Sequence, residues 1–549
     1  MNNTKRAVKT VSGNIVDVLN SEIYPGTLRI SNGRIVDILR QYGEYGHYII
    51  PGFVDSHIHI ESSMLTPSEF ARVAVIHGTV AVVSDPHEIA NVLGVEGVKY
   101  MIDNSQTVPV KFYFGAPSCV PASAFETSGA SIGPEQLAEL LRLQEIRYLG
   151  EVMNFPGVLS SDPTVISKIS MARKYSKPID GHAPGLRGKD LEKYVNAGIS
   201  TDHECFTKEE ALEKIRLGMK VQIREGSAAT NFEELIDLAE HYPETCMFCS
   251  DDRHPDDLVR GHINELVNRA LDHGIELMKV LRVACVNPVL HYNLDVGLLR
   301  IGDYADFLEV DSIDDPRVVR TYINGEIVAE DASSLIPQRA SKVVNKFKVA
   351  KKQVADFALP YREGNLHVIE AIDGQLITDK LVASPKIRQG YIVSDIEGDI
   401  LKMAVVNRYQ DAHVAIGFVK NFGLKRGAIA SSVAHDSHNI IAVGVTDEDL
   451  CRAVNLIIEN KGGISAVSKG REMVLPLPIA GLMSNKSYSH VARKYIDLDN
   501  MAKSLGSPLH APFMTLSFMT QLVIPKMKLS DKGLFDGETL EFMHPKAWS

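Results

Sequence analysis

Cysteine, basic charge and long apolar runs are all scarce in this 549-residue chain, and each scarcity removes a class of protein. The six cysteines (Cys119, Cys205, Cys246, Cys249, Cys285 and Cys451) are too few and scattered for a disulfide framework, so reduced thiols in packed positions are expected. Cys246 and Cys249 form a C-x-x-C inside the strand-like run ETCMFCSDD; with no second pair they read as core cysteines rather than a zinc site. No stretch approaches the roughly 18 apolar residues that span a bilayer, and the opening MNNTKRAVKTVSGNIVDVLN lacks the apolar core of a signal peptide. A cytoplasmic protein with no membrane partner is expected. The net charge of −11 leaves no basic footprint for nucleic acid, which is excluded as a partner.

Several chemistries are missing too. There is no G-x-S-x-G elbow for a serine nucleophile, and GLRGKD is not a phosphate loop. In HEIAN, Asn91 stands where a zincin helix needs its second histidine. The H-x-E with P-C-x-x-C of the small zinc nucleobase deaminases is also absent.

What is present is a globular composition, 45% hydrophobic and 23% charged, at a length that predicts two to four domains. Residues 1–50 and 286–335 read as two β-rich pieces of one small split β-sandwich, with Asn32-Gly33 and Asn324-Gly325 marking hairpin turns. Over 51–285 eight apolar strands alternate with helical stretches, which predicts an α/β fold of the TIM-like (β/α)8 barrel type; a doubly wound open sheet is the alternative. Thr66 and Glu69, with Pro67 between them, have the spacing of a helix capping box. Residues 336–356 read as an exposed basic connector and 357–549 as a further α/β domain, whose clearest helix is capped at Thr446 and Asp449 and ends at Gly462-Gly463.

The chemistry falls where a barrel puts it, at the C-terminal ends of strands. In PGFVDSHIHIESSM, Asp55, His57, His59 and Glu61 occupy alternate positions and share one face for as long as the strand persists. His57 and His59 end the first strand, Glu151 the fourth, His182 the fifth, His203 the sixth and Asp251 the last. Four imidazoles and two carboxylates are a ligand set for two divalent ions, suited to Zn, Mn or Fe(II). Glu151 is the candidate bridge, since RYLGEVMNFPG contains no lysine to be carbamylated. Asp251, first beyond the strand, is the candidate general base, with Asp252 the competing choice. Glu88 in SDPHEIANVLG is the candidate acid for a ring nitrogen or leaving group; charge compensation at a helix N-terminus is its bland role.

The order His-x-His, Glu, His, His, Asp, flanked by a split β domain, resembles the amidohydrolase superfamily. Within it PGFVDSHIHIESSM, SDPHEIANVLG, GEVMNFPGV, DGHAPG, TDHECF, CSDDRHPDDL and GAIASSVAHDSHNIIAVG resemble the adenine deaminase family over nearly the whole length. The resemblance implies hydrolysis of adenine to hypoxanthine and ammonia in purine salvage, with two metal ions per chain and manganese the usual metal. It also implies hydroxide attack at C6, proton delivery to N1 by Glu88, and relay by Asp251 of the proton that helps ammonia leave. Asp85, His87, Asp252, His435 and His438 are candidate substrate contacts. The SSVAHDSHN segment reads as closing over the site, as binding another ion, or as a hydrogen-bonded turn. A dihydroorotase- or hydantoinase-like enzyme opening a cyclic amide, and a non-catalytic metal- or purine-binding protein, are the alternatives. A homodimer is expected at this size.

Overall fold

The computed structural model describes residues 8–543 and the backbone of 546 and 547; the first seven residues of the expected N-terminal β piece lie outside it. All eight barrel strands form: β1 (Phe53–Ile58), β2 (Thr79–Ser84), β3 (Lys111–Ala116), β4 (Ile146–Val152), β5 (Ile179–Gly181), β6 (Thr201–Asp202), β7 (Lys220–Arg224) and β8 (Cys246–Cys249). β1 to β5 pair in parallel, as do β6 to β8. Backbone hydrogen bonds join the two sets at both seams. The Ser200 N–H donates to the Ile179 carbonyl at 2.9 Å, and the Asp251 N–H to the His57 carbonyl at 2.9 Å. That closure makes a barrel and not an open sheet. Strands covered on both faces read as unbroken apolar runs, and every position of TVAVVS in β2 is buried.

The small domain is one continuous eight-stranded sheet, with strands from 9–51 and 307–334. It curls around Ile15, Leu28, Ile30, Ile35 and Phe307, so that its two predicted hairpin turns meet. The Ala305 N–H donates to the Gly33 carbonyl and the Gly325 N–H to that of Ala305. Both Asn-Gly pairs have positive φ throughout, as this class of tight turn requires.

The C-terminal sheet shows a period of two across its centre. Ala404, Val406, Ile440 and Ala442 pack beneath helix Asp447–Glu459. Met403, Val405, Ile441 and Val443 face the other way, into a core shared with the barrel. Residues 432–439 connect strands Ala428–Ser431 and Ile440–Gly444, and this docking carries them over the barrel mouth. The Thr446 cap forms, its side chain accepting the Asp449 N–H. The Thr66 box does not: the Thr66 hydroxyl lies 3.2 Å from the hydroxyls of Ser68 and Ser341 and makes no cap, and Glu69 turns to Arg72 and to the Tyr488 N–H. Residues 337–353 run without helix or strand and are largely exposed, although Val349 and Lys352 are buried. The six cysteines are buried and unpaired, and no helix among the described residues is long and apolar enough to cross a membrane.

Candidate active site and metal centre

Of the alternating residues in DSHIHIE, His57 and His59 join the cluster and Asp55 and Glu61 do not. β1 ends at Ile58; His57 and His59 bring their Nε2 atoms to 3.2 Å from each other. Asp55 sits one pleat deeper, where its carboxylate accepts from Ser250 and, at 2.8 Å, faces His262 Nε2. Past His59 the chain tightens into a 3₁₀ turn, Ile60–Ser63, and the Glu61 carboxylate accepts the Ile89 N–H instead.

Around those imidazoles the other strand ends converge. Asp251 Oδ1 lies 3.2 Å from His59 Nε2 and 3.6 Å from His57 Nε2, and Glu151 Oε1 is 3.3 Å from His59 Nε2. The second oxygen of Glu151 faces the opposite way, 2.8 Å from His182 Nδ1 and 3.3 Å from His203 Nε2. Ligands held at about 2.0–2.1 Å from one ion are themselves about 3–3.4 Å apart, so these separations match coordination polyhedra sharing Glu151. The tautomer of His59 also fits, since it donates Nδ1–H to the Asp85 carbonyl at 3.0 Å and thereby leaves its Nε2 lone pair toward the cluster. Charge points the same way. Burial disfavours the Glu151 carboxylate, yet His182, His203 and His59 hold it well below the usual range, and His203 is pushed up to about 10 against its own burial. Protons thus stand in for cations, and the donor set fits divalent metal.

Asp85 supports the bridge rather than facing the cavity. Its Oδ2 accepts the Glu151 N–H at 2.9 Å, an approach open only because residue 150 is glycine: a Cβ there would collide with the carboxylate. His87 lies between cluster and acid, 3.4 Å from Glu151 Oε1 and 3.4 Å from Glu88 Oε1. Asp252 points away from the histidine pair, accepting from Ser62 Oγ at 2.5 Å and facing His435 at 3.9 Å.

Sequence reasoning missed Glu204 and Arg224. Glu204 Oε1 is 3.3 Å from His203 Nε2 and pairs with Arg224, whose Nη1 also donates to Asp251 Oδ2 at 2.9 Å. Both are 1% exposed. The signal was available: Arg224 is the polar end of β7, which with β3 is one of two strands to which no functional residue was given. Arg224→Met should destabilise the fold by about 3–5 kcal/mol, because two buried carboxylates lose their cation. Chemical denaturation measures this; a loss below about 1 kcal/mol would contradict it.

Glu88, in the first turn of helix His87–Leu93, meets the C-terminal domain. His435 Nδ1 binds one of its oxygens and His438 Nε2 the other. Burial disfavours charge on Glu88, but His435, His438 and His87 hold it well below the ordinary carboxylate range. Burial also disfavours charge on His435, but Glu88 and Asp252 raise it to about 9; for His438 burial wins, leaving it at about 4. The proton of this trio therefore rests on His435. Its folded pKa lies above the unfolded value of about 6.5, so its contribution to stability is full below pH 6.5 and is lost as pH rises through 9. The thermal stability difference between wild type and His435→Asn should shrink from pH 6.5 to 9.5; a constant difference would contradict the assignment.

Residues 48–328 match the amidohydrolase family and residues 375–541 the adenine deaminase C-terminal domain. The chain is 55% identical to an adenine deaminase of Sulfurovum sp. over 97% of its own length and 99% of that protein's. It is 54% identical to the adenine deaminase of Salinibacter ruber, covering 97% and 98%, and 50% identical to that of Methanosarcina acetivorans, covering 98% and 99%. With both domains matched and identity sustained from end to end, the chain belongs to the adenine deaminase family of amidohydrolases.

Proposed function

We propose that the protein hydrolyses adenine to hypoxanthine and ammonia at this cluster. The observation that carries the reading is Glu88, a carboxylate gripped by two imidazoles at the rim of a metal-ligand set: addition of water at C6 of a purine requires a proton at the adjacent N1. The near-full-length likeness to adenine deaminases supports it. His57, His59, Asp251 and one oxygen of Glu151 would hold one ion; the other oxygen, His182 and His203 would hold the second, with manganese the metal to test first. Such a pair supplies hydroxide near neutral pH.

The remaining work belongs to the chain's own groups. Of the two protons of water, one ends on N1 and the other on departing ammonia, while the oxygen becomes the C6 carbonyl of hypoxanthine. Glu88 delivers a proton from His435 to N1, and the first proton that water gives up replaces it on His435. Asp251, fixed by Arg224, takes up the second and passes it to the amine as the C6–N bond breaks. Burial of all of these groups keeps bulk water from short-circuiting the transfers.

Ammonia release from adenine by manganese-loaded protein tests the assignment. Inert adenine together with rapid turnover of a hydantoin or dihydroorotate would overturn it in favour of a cyclic-amide hydrolase.

A further inference from the structure

The cavity above the cluster has a floor and a roof of different origin. Barrel residues His59, Glu151, His182, His203 and Asp251 make the floor; Leu376, His435 and Gln521 from the C-terminal domain line the other side. On that side His435 is committed to Glu88 and Leu376 is apolar. Gln521 is different: it is 6% exposed, and its carboxamide oxygen is buried without a hydrogen-bond partner. A buried acceptor left unpaired is costly, a cost that a ligand donor would remove.

The segment bearing Gln521 is firmly built. Its backbone N–H donates to the Phe518 carbonyl at 3.2 Å, and its carbonyl accepts the Ile524 N–H at 3.1 Å. Next door, the Thr520 hydroxyl donates to the His435 carbonyl at 2.8 Å. Lys528, wholly buried, staples the two roof segments together by donating to the carbonyls of Leu376 at 2.6 Å and Phe518 at 3.0 Å.

We propose that Gln521 recognises the N3/N9–H edge of the purine and selects the free base over N9-substituted purines. The inference rests on the adenine reading above and adds to it how the base is held. C6 must face the floor, where water is activated, and N1 must face Glu88. N3 is para to C6 across the six-membered ring, so the N3/N9–H edge points at the roof. That edge offers one acceptor beside one donor, and a carboxamide offers the complementary pair; glutamine makes such two-point contacts with base edges. A substituent at N9 would both remove the donor and strand the Gln521 oxygen, and sites built around a buried polar contact reject analogues lacking it by as much as about 10⁴–10⁵-fold.

The test uses full-length manganese-loaded protein, wild type and Gln521→Met, with ammonia release followed from adenine and 9-methyladenine. Wild type should prefer adenine by at least about 10³-fold in kcat/KM. Gln521→Met, which keeps the bulk but not the polarity, should raise KM for adenine by about 10–100-fold with kcat within about threefold, and narrow the preference by at least tenfold, at unchanged metal content. An unchanged KM and an unchanged preference in a metal-replete variant would overturn the proposal, since rejection of the methyl group would then be steric. Should the variant not fold, wild type decides: 3-deazaadenine, lacking N3, should compete with adenine at least about tenfold more weakly than adenine's own KM, and equal potency overturns the role of Gln521. A wild type that releases no ammonia from adenine instead sinks the activity itself, a separate result.

Discussion

Glu151→Gln should lower kcat/KM by more than about 10³-fold and leave the protein short of metal, because a supporting partner alone is worth about 10–100-fold in metal affinity and Glu151, on the reading proposed above, is the shared ligand itself. The amide keeps the shape of the carboxylate but removes its charge. It also offers one oxygen where the site uses two, facing His59 on one side and His182 and His203 on the other. Those imidazoles then lose one of the charges that raise them: His203, pushed up to about 10 in the wild type, is lowered, with Glu204 and Asp251 still opposing its burial. Elemental analysis and ammonia release on the same preparation check both halves. Full metal content with full turnover would remove Glu151 from the centre of the site.

Glu88→Gln should lower kcat by about 10²–10⁴-fold while metal content stays at the wild-type level. Glu88 belongs to a hydrogen-bonded trio with His435 and His438 and touches the cluster only through His87, so its loss interrupts proton delivery without removing a ligand. The pairing distinguishes the two glutamates: one substitution removes metal and rate together, the other removes rate alone. An unchanged kcat in metal-replete Glu88→Gln would reduce Glu88 to a contact between domains, and the tie to His435 and His438 would then be structural.

Much of this was legible along the chain. His57, His59, Glu151, His182, His203 and Asp251 were readable because a parallel barrel exposes its strand ends at one rim, so a polar residue after an apolar run already implies a direction. The alternating DSHIHIE carried its own condition: periodicity tells which face a side chain takes while the strand lasts, but not where the strand stops, and a turn one residue after His59 sends Glu61 to a backbone N–H. The capping-box spacing at Thr66 failed for a related reason, since Glu69 finds Arg72 and the Tyr488 N–H, the latter 419 positions away.

By itself, then, the sequence determined the barrel, the polar strand ends that meet at one rim and the membership of the family, because each is written in local pattern: apolar runs, their polar ends and extended motifs. Tertiary structure alone decided what surrounds them. That Arg224 steadies Asp251 follows from neighbouring strands of the closed barrel. That His435 and His438 reach Glu88 across 347 and 350 positions of chain, and that Gln521, its carboxamide oxygen buried and unpaired, lines the same cavity, are products of docking one domain on another. Such contacts leave no period and no spacing, because they depend on where two buried apolar faces meet and not on the order of residues within either.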